Sequence, residues 1–262
     1  MTHMNKTETV PEGLRGFFED NPRLALAFSG GSDSSYLFYA AKACGADARA
    51  YFVKTQFQPR SEMEDAIRTA RYLDGDLCII DRDVLADGRI ASNPPDRCYW
   101  CKHAVFGAIS EAARKDGRDS VIIDATNASD DPEGRPGMKA LKEMGIRSPL
   151  RECQISKPEV RELSREAGLW TWNLPSNSCL ATRTPFGTVL TEDGLRRTEE
   201  AERRVGMLGL SDFRIRTRGD SAFVETREDQ MDILDRIRPE LESVLSEYYS
   251  GIIGYGIRRP GL

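Results

Sequence analysis

The sequence predicts an α/β protein: a parallel sheet with helices on both faces, followed by a small α+β domain. Three features predict it. Apolar runs of strand length alternate with helix-period segments from residue 24 to residue 124. The first run ends in a glycine and serine turn that opens straight into a helix. From Thr191 the texture changes to long charged amphipathic segments around short strands.

Taken in order, residues 1–23 are polar apart from a helical pattern at Leu14, Phe17 and Phe18, which packs on the outside of the first domain. Strands are expected at Leu24–Phe28, Ala48–Val53, Leu77–Ile80 and Val121–Asp124. Helices are expected between them at Ser34–Cys44, Met63–Leu73 and His103–Lys115. Ligands of such sheets bind beyond the carboxyl ends of the strands, where Ser29–Ser35 and Asp124–Asn127 fall. Ala128–Pro136, rich in Asp, Gly and Pro, reads as a surface loop near the nucleotide. A short helix at Lys139–Met144 and a longer one at Lys157–Ala167 follow, the second capped by Ser156 with Pro158 in its first turn. Trp170–Gly187, interrupted by Pro175 and Pro185, reads as an active-site linker. A helix from about Glu192 to Leu208 then precedes strands at Phe213–Thr217 and Ala222–Thr226, joined at Gly219-Asp220. A helix over Glu228–Tyr248 and a strand at Ile252–Ile257 complete the chain. The domains are therefore 1–185 and 186–262, the second catalytic and oligomerising, and a homo-oligomer is expected.

Composition narrows the function classes. With 262 residues, 39% hydrophobic and 30% charged, the chain is an ordinary globular protein rather than a disordered or fibrous one. A net charge of -5 argues against broad nucleic-acid binding. No apolar run approaches a membrane span and no leader pattern stands at the start, so a cytoplasmic location is expected. Six unevenly spaced cysteines are too few for a disulfide scaffold and point to metal, cluster or thiolate chemistry where they cluster. Isolated Cys44 and Cys78 read as core residues.

Phe28–Ser35 reads F-S-G-G-S-D-S-S, the layout of a phosphate cradle. Gly30 and Gly31 permit positive φ, so that successive N–H groups and a helix N-terminus converge on one anion. Ser29, Ser32, Ser34 and Ser35 add hydroxyls, and Asp33 could orient a metal or the loop. The Gly-Lys-Ser/Thr ending of a Walker loop is missing, which disfavours γ-phosphoryl transfer. S-G-G-x-D-S resembles the PP-loop of ATP pyrophosphatases, where the loop holds the pyrophosphate that leaves during adenylation.

Cys98-Tyr99-Trp100-Cys101 follows the loop Asn93–Arg97, and Cys179 stands in a second proline-bearing loop. A C-x-x-C pair serves redox, zinc or iron–sulfur chemistry. Thiolates of Cys98, Cys101 and Cys179 could hold three irons of a cubane; the alternative is a closed zinc site that adds His103.

S-G-G-S-D-S, R-C-Y-W-C-K at 97–102, D-A-T-N at 124–127, R-P-G at 135–137, S-P-L at 148–150 and C-L-A-T-R at 179–183 together resemble the LarE family, sulfur transferases of nickel-pincer cofactor maturation. The resemblance covers most of the chain. It implies a PP-loop fold with a nucleotide site of Ser29–Ser35, Asp124 and Asn127. It implies ATP and Mg²⁺, adenylation of a pyridinium dicarboxylate mononucleotide, and conversion of its carboxylates to thiocarboxylates. With three cysteines, the chain resembles the branch in which Cys98, Cys101 and Cys179 bind a [4Fe-4S] cluster carrying extra sulfide, rather than the branch in which one cysteine gives up its own sulfur. Cys179, Arg183 and Glu202 become catalytic candidates. Arg183 could fork onto a substrate phosphate, and Glu202 faces either substrate or a helical i,i+4 partner. The sulfur donor is not identified. Rival readings are a cluster-dependent tRNA thiolase and a non-catalytic nucleotide-binding regulator with structural zinc.

Overall fold

The computed structural model describes residues 6–117, 119–130, 135–175 and 178–258. Packing groups the chain into two compact units. The first runs to Val84 and resumes from Asp96 to Asn177; the second joins Leu85–Pro95 to Ser178–Leu262.

The first unit begins with α1 (Glu12–Asp20), β1 (Arg23–Ala27), α2 (Ser32–Ala43), β2 (Asp47–Lys54), α3 (Arg60–Tyr72) and β3 (Leu77–Asp81). After an excursion through α4 (Gly88–Ala91), which belongs to the second unit, come α5 (Arg97–Lys115), β4 (Val121–Ile123), α6 (Pro136–Glu143), α7 (Pro149–Glu152) and α8 (Lys157–Glu166). All strands are parallel, in the order β3-β2-β1-β4. The chain steps outward from β1 on one side and returns to place β4 on the other, so the strand order reverses between β1 and β4. That reversal opens a crevice at their carboxyl ends.

The apolar runs are near-continuous because both faces of the sheet are covered. Leu24, Leu26 and Phe52 pack in one core with Leu37 and Phe38 of α2, Ala66 of α3 and Val160 of α8. Their neighbours in sequence, Ala25, Tyr51 and Val53, point the other way, onto Phe106 and Ile109 of α5 and Leu141 of α6. The α/β architecture with helices on both faces is thus as expected.

The second unit contains α9 (Glu192–Gly206), β5 (Arg214–Arg218), β6 (Ser221–Thr226), α10 (Met231–Arg236), α11 (Arg238–Ser246) and β7 (Gly251–Ile257). β5 and β6 form a hairpin, and β7 lies parallel to β6, giving a mixed sheet. Ala201 and Val205 of α9 pack with Ile215, Val224 and Leu241. Asn93, fully buried at φ 54°, anchors the inserted Leu85–Pro95 segment. Its amide donates to the Pro185 carbonyl at 2.8 Å, and its own carbonyl accepts from Gly187 N–H at 2.8 Å.

Several boundaries differ from those expected. α5 starts at Arg97, not His103, so Cys98 and Cys101 lie on its first turn rather than in a loop. α2 starts at Ser32, not Ser34, which moves Ser32 and Asp33 from loop to helix. The long C-terminal helix breaks at Arg238-Pro239, because proline cannot donate to the preceding turn and instead starts α11. Much of the Ala128–Pro136 loop, residues 131–134, lies outside the described residues, as do residues 176 and 177 of the linker. No helix among the described residues is long and apolar enough to cross a membrane.

Candidate active site

The turn from β1 to α2 is built by one glycine. Gly30 has φ +77°, and a Cβ there would lie 2.6 Å from the Ala66 backbone nitrogen on α3. Only glycine fits, both for its dihedral and for the close helix. Gly31, expected to share this role, has φ -72° and ordinary space around it, so its part is to start α2. Serine hydroxyls hold the turn. Ser29 Oγ lies 3.1 Å from Ser34 Oγ and accepts from Gly31 N–H at 3.3 Å, while Ser35 Oγ donates to the Gly30 carbonyl at 3.1 Å. Ser34 and Ser35 are thus spent on the loop itself. The N–H groups of the first turn of α2 are left to face an anion.

This turn forms the floor of a cleft of about 500 Å³, open at the carboxyl ends of β1 and β4. Asp124, buried directly after β4, accepts from Ser148 Oγ at 2.7 Å and Thr126 Oγ1 at 2.6 Å, and Lys102 Nζ stands 3.9 Å from it. Asn127 is also buried, but its side-chain oxygen accepts from Ser129 N–H at 2.9 Å, shaping the following turn. Lys157, the first residue of α8, donates to Ser32 Oγ at 2.7 Å and to Asp33 Oδ2 at 2.6 Å. Burial raises the Asp33 carboxyl above its ordinary value, against the opposing pull of Lys157. The second oxygen, Oδ1, is buried with no hydrogen-bond partner among the described residues, the donor that a Mg²⁺ would take.

None of the six cysteines is in a disulfide. Cys98 and Cys101 stand three residues apart in the first turn of α5, a spacing at which two thiolates can bind one metal or cluster. Cys179 belongs to the second unit. Among the described residues no three His, Cys, Asp or Glu side chains converge into a metal-holding group. His103, the imidazole of the zinc alternative, is turned toward Glu143 at 3.7 Å and packs against Tyr99 with 4.6 Å between ring centres and the rings tilted by 60°.

In the second unit Cys179 caps a short 3-10 turn, Leu180–Arg183. Arg183, 4% exposed, is forked onto Glu202: Nε to Oε1 at 2.9 Å and Nη2 to Oε2 at 3.0 Å. Its remaining nitrogen donates to the Ser178 carbonyl at 2.8 Å. Glu202 Oε1 also accepts from Ile215 N–H at 2.8 Å. Arg214 donates to Ser178 Oγ at 3.3 Å. Burial, with Arg183 and Arg258 nearby, pushes its pKa down to about 10.

No protein-family model matches the chain. An uncharacterized protein of Synechocystis is 35% identical over 225 residues, 86% of this chain and 84% of the relative. An uncharacterized protein of Methanocaldococcus jannaschii is 28% identical over 249 residues, 95% and 93%. The pyridinium-3,5-bisthiocarboxylic acid mononucleotide synthase of Lactiplantibacillus plantarum, a LarE protein, is 31% identical over 242 residues, 90% of this chain and 87% of the relative.

The chain belongs to the LarE family.

Within this LarE-family chain the first unit gathers Ser29–Ser34 and Asp124 around one cleft, and the second gathers Cys179, Arg183 and Glu202 around one turn. Arg183 and Glu202 appear in the sequence as separate candidates; in the fold they are partners, each consuming the other's charge. Three residues escaped the sequence reading. Lys157 looked like an ordinary first residue of a helix, and Ser148 and Thr126 were noticed only as members of motifs, not as the donors that hold Asp124. A lysine at a helix N-terminus, where the dipole disfavours a cation, was the one available signal.

Proposed function

We propose that the chain is an ATP-dependent sulfur transferase that adenylates a carboxylate of a pyridinium dicarboxylate mononucleotide and replaces AMP with sulfur. The observation that carries this reading is the glycine turn. It is a strand-end cradle of N–H groups with no lysine of its own, beside a carboxylate suited to Mg²⁺, in a cleft of nucleotide size. Its product class follows the name of the Lactiplantibacillus plantarum relative.

The chemistry follows from charge. A carboxylate repels nucleophiles, so one of its oxygens first attacks the α-phosphorus of ATP. The bond from that phosphorus to the bridging oxygen breaks, and pyrophosphate leaves with its electron pair. The N–H groups at the start of α2 stabilise the charge growing on that leaving group. Mg²⁺, held by Asp33 Oδ1, would share this load. Sulfur then adds to the acyl carbon and AMP departs. Cys98, Cys101 and Cys179 are the thiolates that would hold a [4Fe-4S] cluster, which supplies the extra sulfide when bound. Arg183 and Glu202 brace the turn that carries Cys179, and the neighbouring Arg214 supplies a cation for a phosphate.

The test is mass spectrometry of nucleotide product and protein after one turnover with ATP, Mg²⁺ and the pyridinium dicarboxylate mononucleotide. Sulfur in the product, AMP and pyrophosphate in equal amount, and intact Cys179 are expected. Dehydroalanine at Cys179 would replace the cluster route by self-sacrifice, and a product without sulfur would overturn the reaction.

A further inference from the structure

Resting on that reading of the reaction, we propose that the Ser178 hydroxyl is the hydrogen-bond donor for the substrate oxygen that gains charge as sulfur displaces AMP. Ser178 stands directly before Cys179, and both belong to the second unit. Nothing in Ser-Asn-Ser-Cys singles it out; its surroundings do.

Arginine nitrogens can only donate, so the bonds they make to Ser178 Oγ have a fixed direction. Arg183 Nη1 donates to it at 2.8 Å and Arg214 Nε at 3.3 Å. Thr182 Oγ1, 3.2 Å away, has one hydrogen, and the Cys179 carbonyl at 2.8 Å is its nearer acceptor. Two accepted bonds fill the lone pairs of a hydroxyl, and among the described residues Ser178 is the acceptor in every bond at Oγ. Its own proton is the one still to be given, and the two guanidiniums behind it polarise it.

The charge around this hydroxyl is not balanced. Glu202 neutralises the Arg183 fork. Arg214, 5% exposed, meets Asp212 at 3.8 Å, but Arg258 already holds that carboxylate at 2.7 Å. Arg183, Arg214 and Arg258 thus face Glu202 and Asp212, a surplus of positive charge. Such a fixed field with a donor at its front favours negative charge that develops there during reaction. Sulfide adds to the acyl carbon of the acyl-AMP, the C=O electron pair moves onto the acyl oxygen, and Ser178 O–H donates to that oxygen without losing its proton. The carbonyl then re-forms, the bond from carbon to the AMP oxygen breaks, and AMP leaves with the electron pair.

Kinetics and binding on the whole chain separate this role from a structural one. Ser178→Ala should lower kcat for sulfur transfer roughly 100-fold, the loss of one oxyanion donor. KM for the pyridinium dicarboxylate mononucleotide should not change, nor should the calorimetric affinity of metal-free protein for it. Exchange of pyrophosphate into ATP, which precedes sulfur, should keep its parental rate. The turn keeps its brace in this variant, because Arg183 also donates to the Ser178 carbonyl at 2.8 Å. Ser178→Thr retains the hydroxyl and should retain most of kcat. Parental kcat in Ser178→Ala overturns the assignment. So does a raised KM or weakened affinity, with or without a fall in kcat, since it marks a ground-state contact or a residue that only shapes the turn. A parent protein that exchanges no pyrophosphate into ATP sinks the adenylation proposed above and this role with it. A parent that does, with Ser178→Ala equal to it in kcat, sinks the role of Ser178 alone.

Discussion

Gly30→Ala is the sharpest probe of how the fold makes its anion cradle. At φ +77° an alanine pays about 1–2 kcal/mol for the left-handed backbone. Its Cβ would also stand 2.6 Å from the Ala66 nitrogen and 2.7 Å from the Ala66 Cα. Both are backbone atoms in the middle of α3, so no rotamer change clears the overlap, and removing the Ala66 methyl would not help. Forcing an extra carbon into a packed interior costs about 1–3 kcal/mol more. The sum, about 2–5 kcal/mol, corresponds to a fall of roughly 4–20 °C in the melting temperature of a domain of this size. Gly31→Ala is the control: at φ -72° its Cβ meets only Ser29 Oγ at 3.4 Å, and it should melt within about 2 °C of the parent. Calorimetric melts of the two variants, followed by pyrophosphate titration of whichever folds, test this directly. Gly30→Ala melting alongside the parent and binding pyrophosphate normally would refute the claim that one glycine and one close helix shape the cradle.

Other outcomes follow from the same physics. Glu202→Ala leaves the buried Arg183 guanidinium uncompensated and should destabilise the C-terminal unit by about 3–5 kcal/mol in urea melts; a loss below about 1 kcal/mol would show that the pair is not holding the Cys179 turn. Asn93→Ala loses two side-chain hydrogen bonds and takes on left-handed strain, while Asn93→Gly loses only the bonds. The glycine variant should therefore be the more stable by about 1 kcal/mol in the same melts, and the reverse order would contradict the geometry. Hydrogen bonds from Arg147 hold the Glu152 carboxyl below its ordinary 4.5. A lowered carboxyl stabilises the fold above its unfolded value, and that gain disappears as pH falls through the folded value. Wild type should thus exceed Glu152→Gln by up to about 1 kcal/mol near neutrality, the partly exposed pair being screened, with the gap closing below pH 4.5. A gap that widens in acid would reverse the sign.

The parts of this molecule that are legible in its sequence are those with local causes. β1, the glycine turn and α2 are visible because apolar run, turn chemistry and helix pattern agree over a dozen residues. The start of α5 was not, since Asn93-Pro94-Pro95 suggests continuing loop, and nothing in Cys-Tyr-Trp-Cys announces a first turn. Leu85–Pro95 packs with the C-terminal unit through Asn93, a long-range bond that leaves no local pattern. Lys157 and Ser148 reach the cleft across 125 and 24 residues, and the Arg183–Glu202 fork joins two elements, so spacing carries no trace of any of them. Candidates could be named from chemistry; partnership required the fold.

The central claim, activation of an acid by AMP before sulfur arrives, is tested most directly with substrate whose carboxylate oxygens are ¹⁸O. Attack on the α-phosphorus followed by sulfur displacement must leave one labelled oxygen in AMP and none in pyrophosphate. Label found in a phosphate released with ADP, or AMP carrying no label while sulfur enters the product, would contradict it.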